Sequence, residues 1–351
     1  MNIAIIGAGG GVGREIARQI ITAQILEKHQ TLYLCGNPYG DSAKTLHGFK
    51  ADLLDGYAEI NPNIEVVFDP EQIEADLIVF TAGSTLKFSQ SGKSQRERLS
   101  EQNAPLFHDY AKSFALKEKG HELYIMVSNP NELAVAIFSK TIHRSRVIGM
   151  GAFLDTLRFR KEIAADLNIR RQRIHAFMIG EHGPNMIPLW SSVHIFGLEG
   201  QLLKDALVKI RQNLSIREFP SKLKDVQREV QILIQKCQIE EAYALLQSSP
   251  PDIRATLKPF ITHFSGSRTL IGTARATMDL IQTIMMGSDA LVAGQITLDG
   301  DFHGISGTIG VPFVIGNRGV DRIIDLSMAE NEKALLRSSA KKIQQKLLPY
   351  L

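Results

Sequence analysis

Short apolar runs alternate with helix-spaced stretches through the first part of the chain. Residues 2–6 turn apolar at once, the pattern of a strand buried on both faces. Residues 14–26 carry Ile16, Ala17, Ile20, Ile21 and Ala23 at helical spacing. The strand pattern returns at 31–35, 64–68, 77–81, 123–127 and 147–150. Residues 96–119 predict a helix with Leu99, Leu106, Phe107, Tyr110 and Phe114 on one face, bent or restarted at Pro105. This alternation predicts an α/β doubly wound parallel sheet over residues 1–150.

Beyond that boundary the pattern changes. Residues 151–167 predict a helix and 174–179 a strand. Trp190 is expected in the core. Leu223, Val226, Val230, Leu233 and Cys237 fit an amphipathic helix, which Ser248-Ser249-Pro250-Pro251 interrupts. A helix over 272–286, antiparallel strands at 290–298 and 305–315 around a turn at 299–304, and a polar helix over 330–347 complete the chain. Residues 151–351 therefore read as an α+β domain with an extended helical segment at about 201–265, expected as a helical surface or subunit contact.

Composition narrows the classes. A chain of 351 residues, 44% hydrophobic and 22% charged, can build two cores. A net charge of +3 gives no reason to expect nucleic acid or an acidic membrane, and Arg170-Arg171-Gln172-Arg173 reads as a solvated loop. Cys35 and Cys237 offer neither metal-ligand spacing nor a disulfide framework, which suits a reducing compartment. No apolar run reaches membrane-spanning length, and the N-terminus lacks the basic flank of a signal peptide. A soluble cytoplasmic protein is expected, with no metal and no membrane partner.

The chemistry gathers at strand ends. The first strand runs into Gly7-Ala8-Gly9-Gly10-Gly11-Val12-Gly13 and then a helix. Glycines permit a sharp turn, and the helix N-terminus favours a pyrophosphate, so a dinucleotide is the expected ligand. Gly7, Gly10 and Gly13 give G-x-x-G-x-x-G rather than the strict fingerprint. The second strand ends in Cys35-Gly36-Asn37, with no acid before Asp41. A carboxylate there ordinarily holds a ribose hydroxyl, so its absence admits NADP as well as NAD. Asn37, Ser42 and Lys44 are candidate phosphate contacts. Thr81-Ala82-Gly83 offers backbone to a cofactor, and polar residues 84–95 read as a mobile loop. Asn129 ends a parallel strand, facing the ligand crevice. Asp155 and Arg158 stand one helical turn apart, and His182, between Gly180-Glu181 and Gly183, can move a proton near neutral pH.

Taken together in order and spacing, these motifs resemble the lactate/malate dehydrogenase family over nearly the whole chain. They are residues 7–13, 81–83, 96–103, Val127-Ser128-Asn129-Pro130, residues 154–159, 180–183 and Gly310-Val311-Pro312. The glycine spacing and Gly36-Asn37 are closer to the malate branch. The resemblance implies a Rossmann-type domain and a catalytic domain that move hydride between NAD or NADP and a 2-keto acid. Malate/oxaloacetate is the first expectation. It implies His182 as proton donor, Asp155 orienting the imidazole, Arg158 clamping the substrate carboxylate, and Arg96 polarising the carbonyl as the loop closes. Asn129 would hold the reacting oxygen, and Asn103 and Val127 would line the nicotinamide side. A homodimer or homotetramer is implied, with the helix after Gly40, through Asp52-Leu53, at the contact.

Three departures from the family pattern stand out. The stretch from Thr81 to Arg96 is longer than usual. Counting forward gives Leu86 beside Lys87 as the reader of the substrate's far end; counting back gives Gln90. Pro184-Asn185 stands where the family has aspartate-serine. Residues 201–264 run longer than usual, and residues 268–275 match the substrate wall poorly, leaving Thr269 as a wall candidate. Two alternatives follow: a dehydrogenase of lactate or a bulkier 2-hydroxy acid, and a catalytically idle dinucleotide-binding sensor or scaffold.

Overall fold

A computed structural model describes residues 1–85 and 95–351. Leu86, Lys87 and Gln90 lie outside the described residues. The first half alternates as the pattern requires: β1 (Ile3–Ile6), α1 (Gly11–Thr22), β2 (Thr31–Cys35), α2 (Asp41–Gly56), β3 (Asn63–Val67), β4 (Leu77–Phe80), α3 (Gln95–Lys117), β5 (Leu123–Met126), α4 (Asn131–Phe138) and β6 (Val147–Gly149). The second half follows with α5 (Gly151–Leu167), β7 (Ile174–His175), β8 (Met178–Gly180), β9 (Met186–Pro188), β10 (His194–Ile195), α6 (Gly200–Ile210), α7 (Phe219–Gln235), α8 (Ile239–Gln247), α9 (Pro251–Phe264), α10 (Leu270–Met285), β11 (Ala290–Phe302), β12 (Ile305–Gly316), β13 (Gly319–Ile323) and α11 (Glu330–Leu347).

β1, β2, β4 and β5 are buried along their whole length, which is why they lack alternating polarity. The first six strands pair in parallel in the order β3-β2-β1-β4-β5-β6. The chain leaves β1 toward β2 on one side and returns to β4 on the other. The carboxyl ends of β1 and β4 thus form the switch point where doubly wound sheets bind ligands. The sheet continues across the expected domain boundary: β11 pairs antiparallel with β6 through Gln295 and Gly149, and β12, β8 and β9 extend it.

Several expectations are adjusted. α1 begins inside the glycine run and ends at Thr22 rather than at 26, because Gln24 takes a left-handed φ of 48°. α3 passes Pro105 without a restart. Phe107, Tyr110 and Phe114 from this helix pack with Phe80, Tyr124 and Phe138, with ring centroids 5.2–5.9 Å apart in the closest pairs. That packing outweighs the one backbone bond a proline removes. The single strand expected at 174–179 is two: β7 pairs with β10, and β8 joins the main sheet. The hairpin turn is tighter than the expected 299–304. β11 runs to Phe302, and only His303 (φ 51°) and Gly304 (φ 71°) turn the chain.

The segment expected as a helical surface forms α6 to α9, broken at Ser248–Pro250 as the proline pair requires. It is also tied into the core. Arg254 of α9 is buried and donates to Glu162 at 2.8 Å and Asp166 at 2.5 Å on α5, and Lys258 reaches Glu162 at 2.7 Å. Trp190 is buried, donates to Asp252 at 2.8 Å and meets Phe159 edge-on at 4.9 Å. Both contacts hold the helix that carries Asp155 and Arg158.

Candidate active site

The glycine turn packs backbone on backbone. A Cβ at Gly7, which has φ +85°, would lie 2.7 Å from the Ala82 backbone, so the β1 and β4 ends can close only with glycine there. Gly7 and Ala8 donate to the Cys35 carbonyl at 2.9 and 3.0 Å, joining this turn to the end of β2. α1 opens at Gly11 with no side-chain cap and no acidic residue in its first turn. Its free N–H groups and positive end suit a pyrophosphate. Gly36 is buried at the end of β2, while Asn37 is exposed and its Oδ1 accepts from Tyr39 N at 2.9 Å. A Cβ on either Gly9 or Gly36 would meet the Ser42 side chain, which therefore lies beside both; Lys44 is exposed.

Asn103 links the ends of β4 and β5. Its buried amide accepts from Ser84 N at 2.7 Å and donates to the carbonyl of Asn129 at 2.7 Å. Thr81 donates to the Ile6 carbonyl at 2.8 Å, and Ser128 to that of Ala82 at 2.6 Å. Val127 is half-buried on the same edge, its N–H bonded to Phe80 at 2.9 Å. The Asn129-Pro130 bond is cis, and the Asn129 residue is exposed. These groups share the carboxyl edge of the parallel strands. Thr269 stands at the N-cap position of α10 without a side-chain capping bond, and Leu270 of that helix faces Gly11.

The second-half residues converge on Asp155. Its Oδ2 accepts from Gly183 N at 3.2 Å and meets Nδ1 of His182 at 2.8 Å, and its Oδ1 accepts from Nη1 of Arg158 at 3.0 Å. The bond at Nδ1 leaves Nε2 of His182 as the ring nitrogen that could exchange a proton with a ligand. Gly151, at the start of α5, makes room for the ring: a Cβ there would sit 2.5 Å from Cγ of His182. Burial alone pushes the Asp155 carboxyl up. The charge of His182, its hydrogen bond and Arg158 outweigh burial, so Asp155 ends below the usual carboxylate range.

Arg96 meets the same site from α3. Its Nη1 donates to the carbonyl of His182 at 2.8 Å, Nη2 bonds to Glu132, and Nε lies 3.3 Å from Glu181. The guanidinium expected at the substrate carbonyl is thus engaged with two carboxylates beside His182. Sequence reasoning passed over three groups here. Glu132 is 1% exposed and accepts from His182 N at 2.6 Å. Gln295 is buried and joins Glu132 at 3.2 Å to Ala152 N at 2.9 Å. Asn131 holds Gly151 N at 3.2 Å. Glu132 had a legible signal, a carboxylate heading the otherwise apolar, wholly buried run Leu133 to Phe138. Gln295, isolated in a strand, had none.

Glu181 behaves like Asp155: burial pushes it up, Arg96 and Lys346 outweigh that, and its pKa is lowered. A lowered folded-state pKa stabilises the fold above the ordinary carboxylate range, and that contribution is lost as pH falls through the range. Chemical denaturation between about pH 6 and about pH 3 is therefore expected to show stability falling with acid. Glu181→Gln should flatten that slope; a slope unchanged in the variant would refute Glu181 as a contributor.

Comparisons with known proteins agree with this geometry. The sequence model of the lactate/malate dehydrogenase NAD binding domain matches residues 1–149, and that of the lactate/malate dehydrogenase alpha/beta C-terminal domain matches residues 260–349. Asp155, Arg158 and His182 fall between the two matches. An L-lactate dehydrogenase 2 of Enterococcus faecalis is 28% identical, over 98% of this chain and 95% of its own length. An L-2-hydroxycarboxylate dehydrogenase (NAD(P)(+)) of Methanocaldococcus jannaschii is 26% identical, over 98% and 97%. The crystal structure of Cryptosporidium parvum malate dehydrogenase shares the fold with a TM-score of 0.75 at 22% identity, covering 100% of this chain and 99% of its own. Among the described residues no helix is long and apolar enough to cross a membrane.

Proposed function

The chain belongs to the lactate/malate dehydrogenase family, and from that premise we infer that it is an NAD(P)-dependent oxidoreductase moving hydride between a nicotinamide and a 2-keto or 2-hydroxy acid. The observation that carries the reading is the constellation of His182, Asp155 and Arg158, which joins a proton donor, its counter-charge and a carboxylate fork. The bound nicotinamide supplies the hydride in reduction and takes it back in oxidation. His182 gives its Nε2 proton to the carbonyl oxygen and recovers it in reverse. Asp155 stabilises the imidazolium and fixes the ring. Arg158 presents its fork to the substrate carboxylate. Asn129 holds the reacting oxygen, and Arg96 brings its charge to the carbonyl from beside the His182 main chain.

Residues 1–150 are assigned to cofactor binding and 151–351 to substrate binding and catalysis. The uncapped N-terminus of α1 supports a pyrophosphate site along residues 7–13. The missing acid at the end of β2, where Gly36 and Asn37 stand, supports use of NADP alongside NAD. We assign malate and oxaloacetate as the substrate pair, acting in the cytoplasm in a homodimer or homotetramer through α2, on which Leu54 is exposed.

A panel of oxaloacetate, pyruvate and bulkier 2-keto acids, each with NADH and NADPH, tests this by loss of reduced-nicotinamide absorbance. Oxaloacetate is expected to turn over fastest. A different fastest acid would move the substrate assignment, and no turnover with any acid at high enzyme concentration would end the dehydrogenase reading.

A further inference from the structure

His182 sits in the turn between β8 and β9, which Met186 N closes onto the Gly183 carbonyl at 3.1 Å. Gly180 (φ +93°) and Gly183 (φ +99°) flank it, both in the left-handed region where only glycine is at ease. That turn leaves the N–H and C=O of His182 itself to be held by side chains, and these help fix where the imidazole stands. Asp155 fixes the ring through Nδ1. It also accepts from Gly183 N at 3.2 Å, on the peptide unit after His182, but it makes no bond to the His182 N–H.

The N–H and the carbonyl of His182 are held from α4 and α3. The Glu132 carboxylate accepts the His182 N–H at 2.6 Å through Oε1. The same oxygen accepts from Nε2 of Gln295 at 3.2 Å, and Gln295 in turn accepts from Ala152 N at 2.9 Å, at the head of the helix that carries Asp155. The other oxygen bonds to Arg96, whose Nη1 takes the His182 carbonyl at 2.8 Å. A ring closes: Glu132, His182 N–H, His182 C=O, Arg96, and back to Glu132. Glu132 lies at the buried N-terminus of α4, so its own position is rigid. The contacts to His182 N–H and Gln295 do not involve Arg96 and persist if the guanidinium turns toward substrate.

We propose that Glu132 is a positioning residue for the reaction, a buried acceptor that holds the main chain of His182 so that its free ring nitrogen meets the substrate carbonyl. The proposal rests on the dehydrogenase reading above. What His182 needs from Glu132 is an acceptor at full side-chain length, not a charge. Catalytic geometry is sensitive to displacements of about 1 Å, so losing the acceptor affects turnover more than binding.

Two isosteric changes separate the claims. Glu132→Gln keeps a carbonyl oxygen within reach of His182 N; Glu132→Met keeps the length and removes the acceptor. With methionine, kcat is expected to fall about 10- to 100-fold, with cofactor affinity within about threefold. Glutamine should stay within about fivefold of the wild type. Amide hydrogen exchange over residues 179–185, read without substrate, should accelerate with methionine and stay near wild type with glutamine. Equal losses in both variants would assign the effect to charge on Arg96 and overturn the inference. So would unchanged exchange with methionine, or a kcat that merely tracks the folded fraction in a thermal melt. If the methionine variant does not fold, glutamine alone decides: a loss beyond about tenfold overturns the proposal. A wild type inactive on every keto acid would sink the dehydrogenase reading, while the exchange contrast would still decide the clamp.

Discussion

Replacing His182 by alanine is expected to lower kcat about 10²- to 10⁴-fold, the usual contribution of a positioned acid–base group. NAD(P)H affinity should remain within about threefold, because the proposed cofactor cradle is built from the ends of β1, β2 and β4 and not from the loop that carries His182. The fold should survive. Without the imidazole, Asp155 keeps Gly183 N and Arg158 as partners, so no buried carboxylate is stranded. Steady-state rates with nicotinamide fluorescence titration in parallel separate the two effects. Activity within about tenfold of wild type would remove His182 from the proton-transfer role. A loss of turnover accompanied by an equal loss of cofactor binding would point to a misfolded cleft instead.

The first half of this protein was the more legible, and the reason is physical. Strands buried on both faces cannot alternate polarity, so β1, β2, β4 and β5 stand out as uninterrupted apolar runs, and β2 is found where its pattern places it. Boundaries were harder. The start of α1 is set by the glycine turn and not by apolar periodicity, and the end by one left-handed residue, Gln24. Pro105 misled because propensity is local, whereas the aromatic packing that carries α3 through it comes from Phe80, Tyr124 and Phe138, which lie 19 to 33 positions from it in the chain. In the site, the residues proposed to meet ligand are legible as motifs because chemistry limits their types. The groups behind them were less visible. Gln295 meets Glu132 across 163 positions of chain, and nothing local to a strand announces such a partner. The helical segment after residue 201 hid its role for the same reason: Arg254 reads as an ordinary surface cation until α9 lies against Glu162 and Asp166.

Arg158 separates substrate binding from proton transfer, and Arg158→Lys should show it. One edge of the guanidinium, through Nη1, is held by Asp155 at 3.0 Å, and the side chain is 21% exposed; among the described residues the other nitrogens bond no partner and can face a substrate carboxylate. A planar fork can serve both carboxylates at once, with two parallel bonds to the substrate. Lysine carries the same charge as a single point on a flexible stem, and it must choose between Asp155 and the substrate. Losing the paired, charge-assisted bonds costs about 3 kcal/mol, which is about 10²-fold in kcat/KM. The loss should fall mainly on KM for the keto acid, with cofactor affinity unchanged, in contrast to the kcat loss expected of His182→Ala. Glutamine at the same position keeps hydrogen bonding but no charge, and it should be worse than lysine if charge dominates and better if planar geometry does. A lysine variant within about fivefold of wild type in kcat/KM would show that Arg158 serves Asp155 alone. The substrate carboxylate would then have to be held by another group, and Arg96, already at the main chain of His182, would be the next to test.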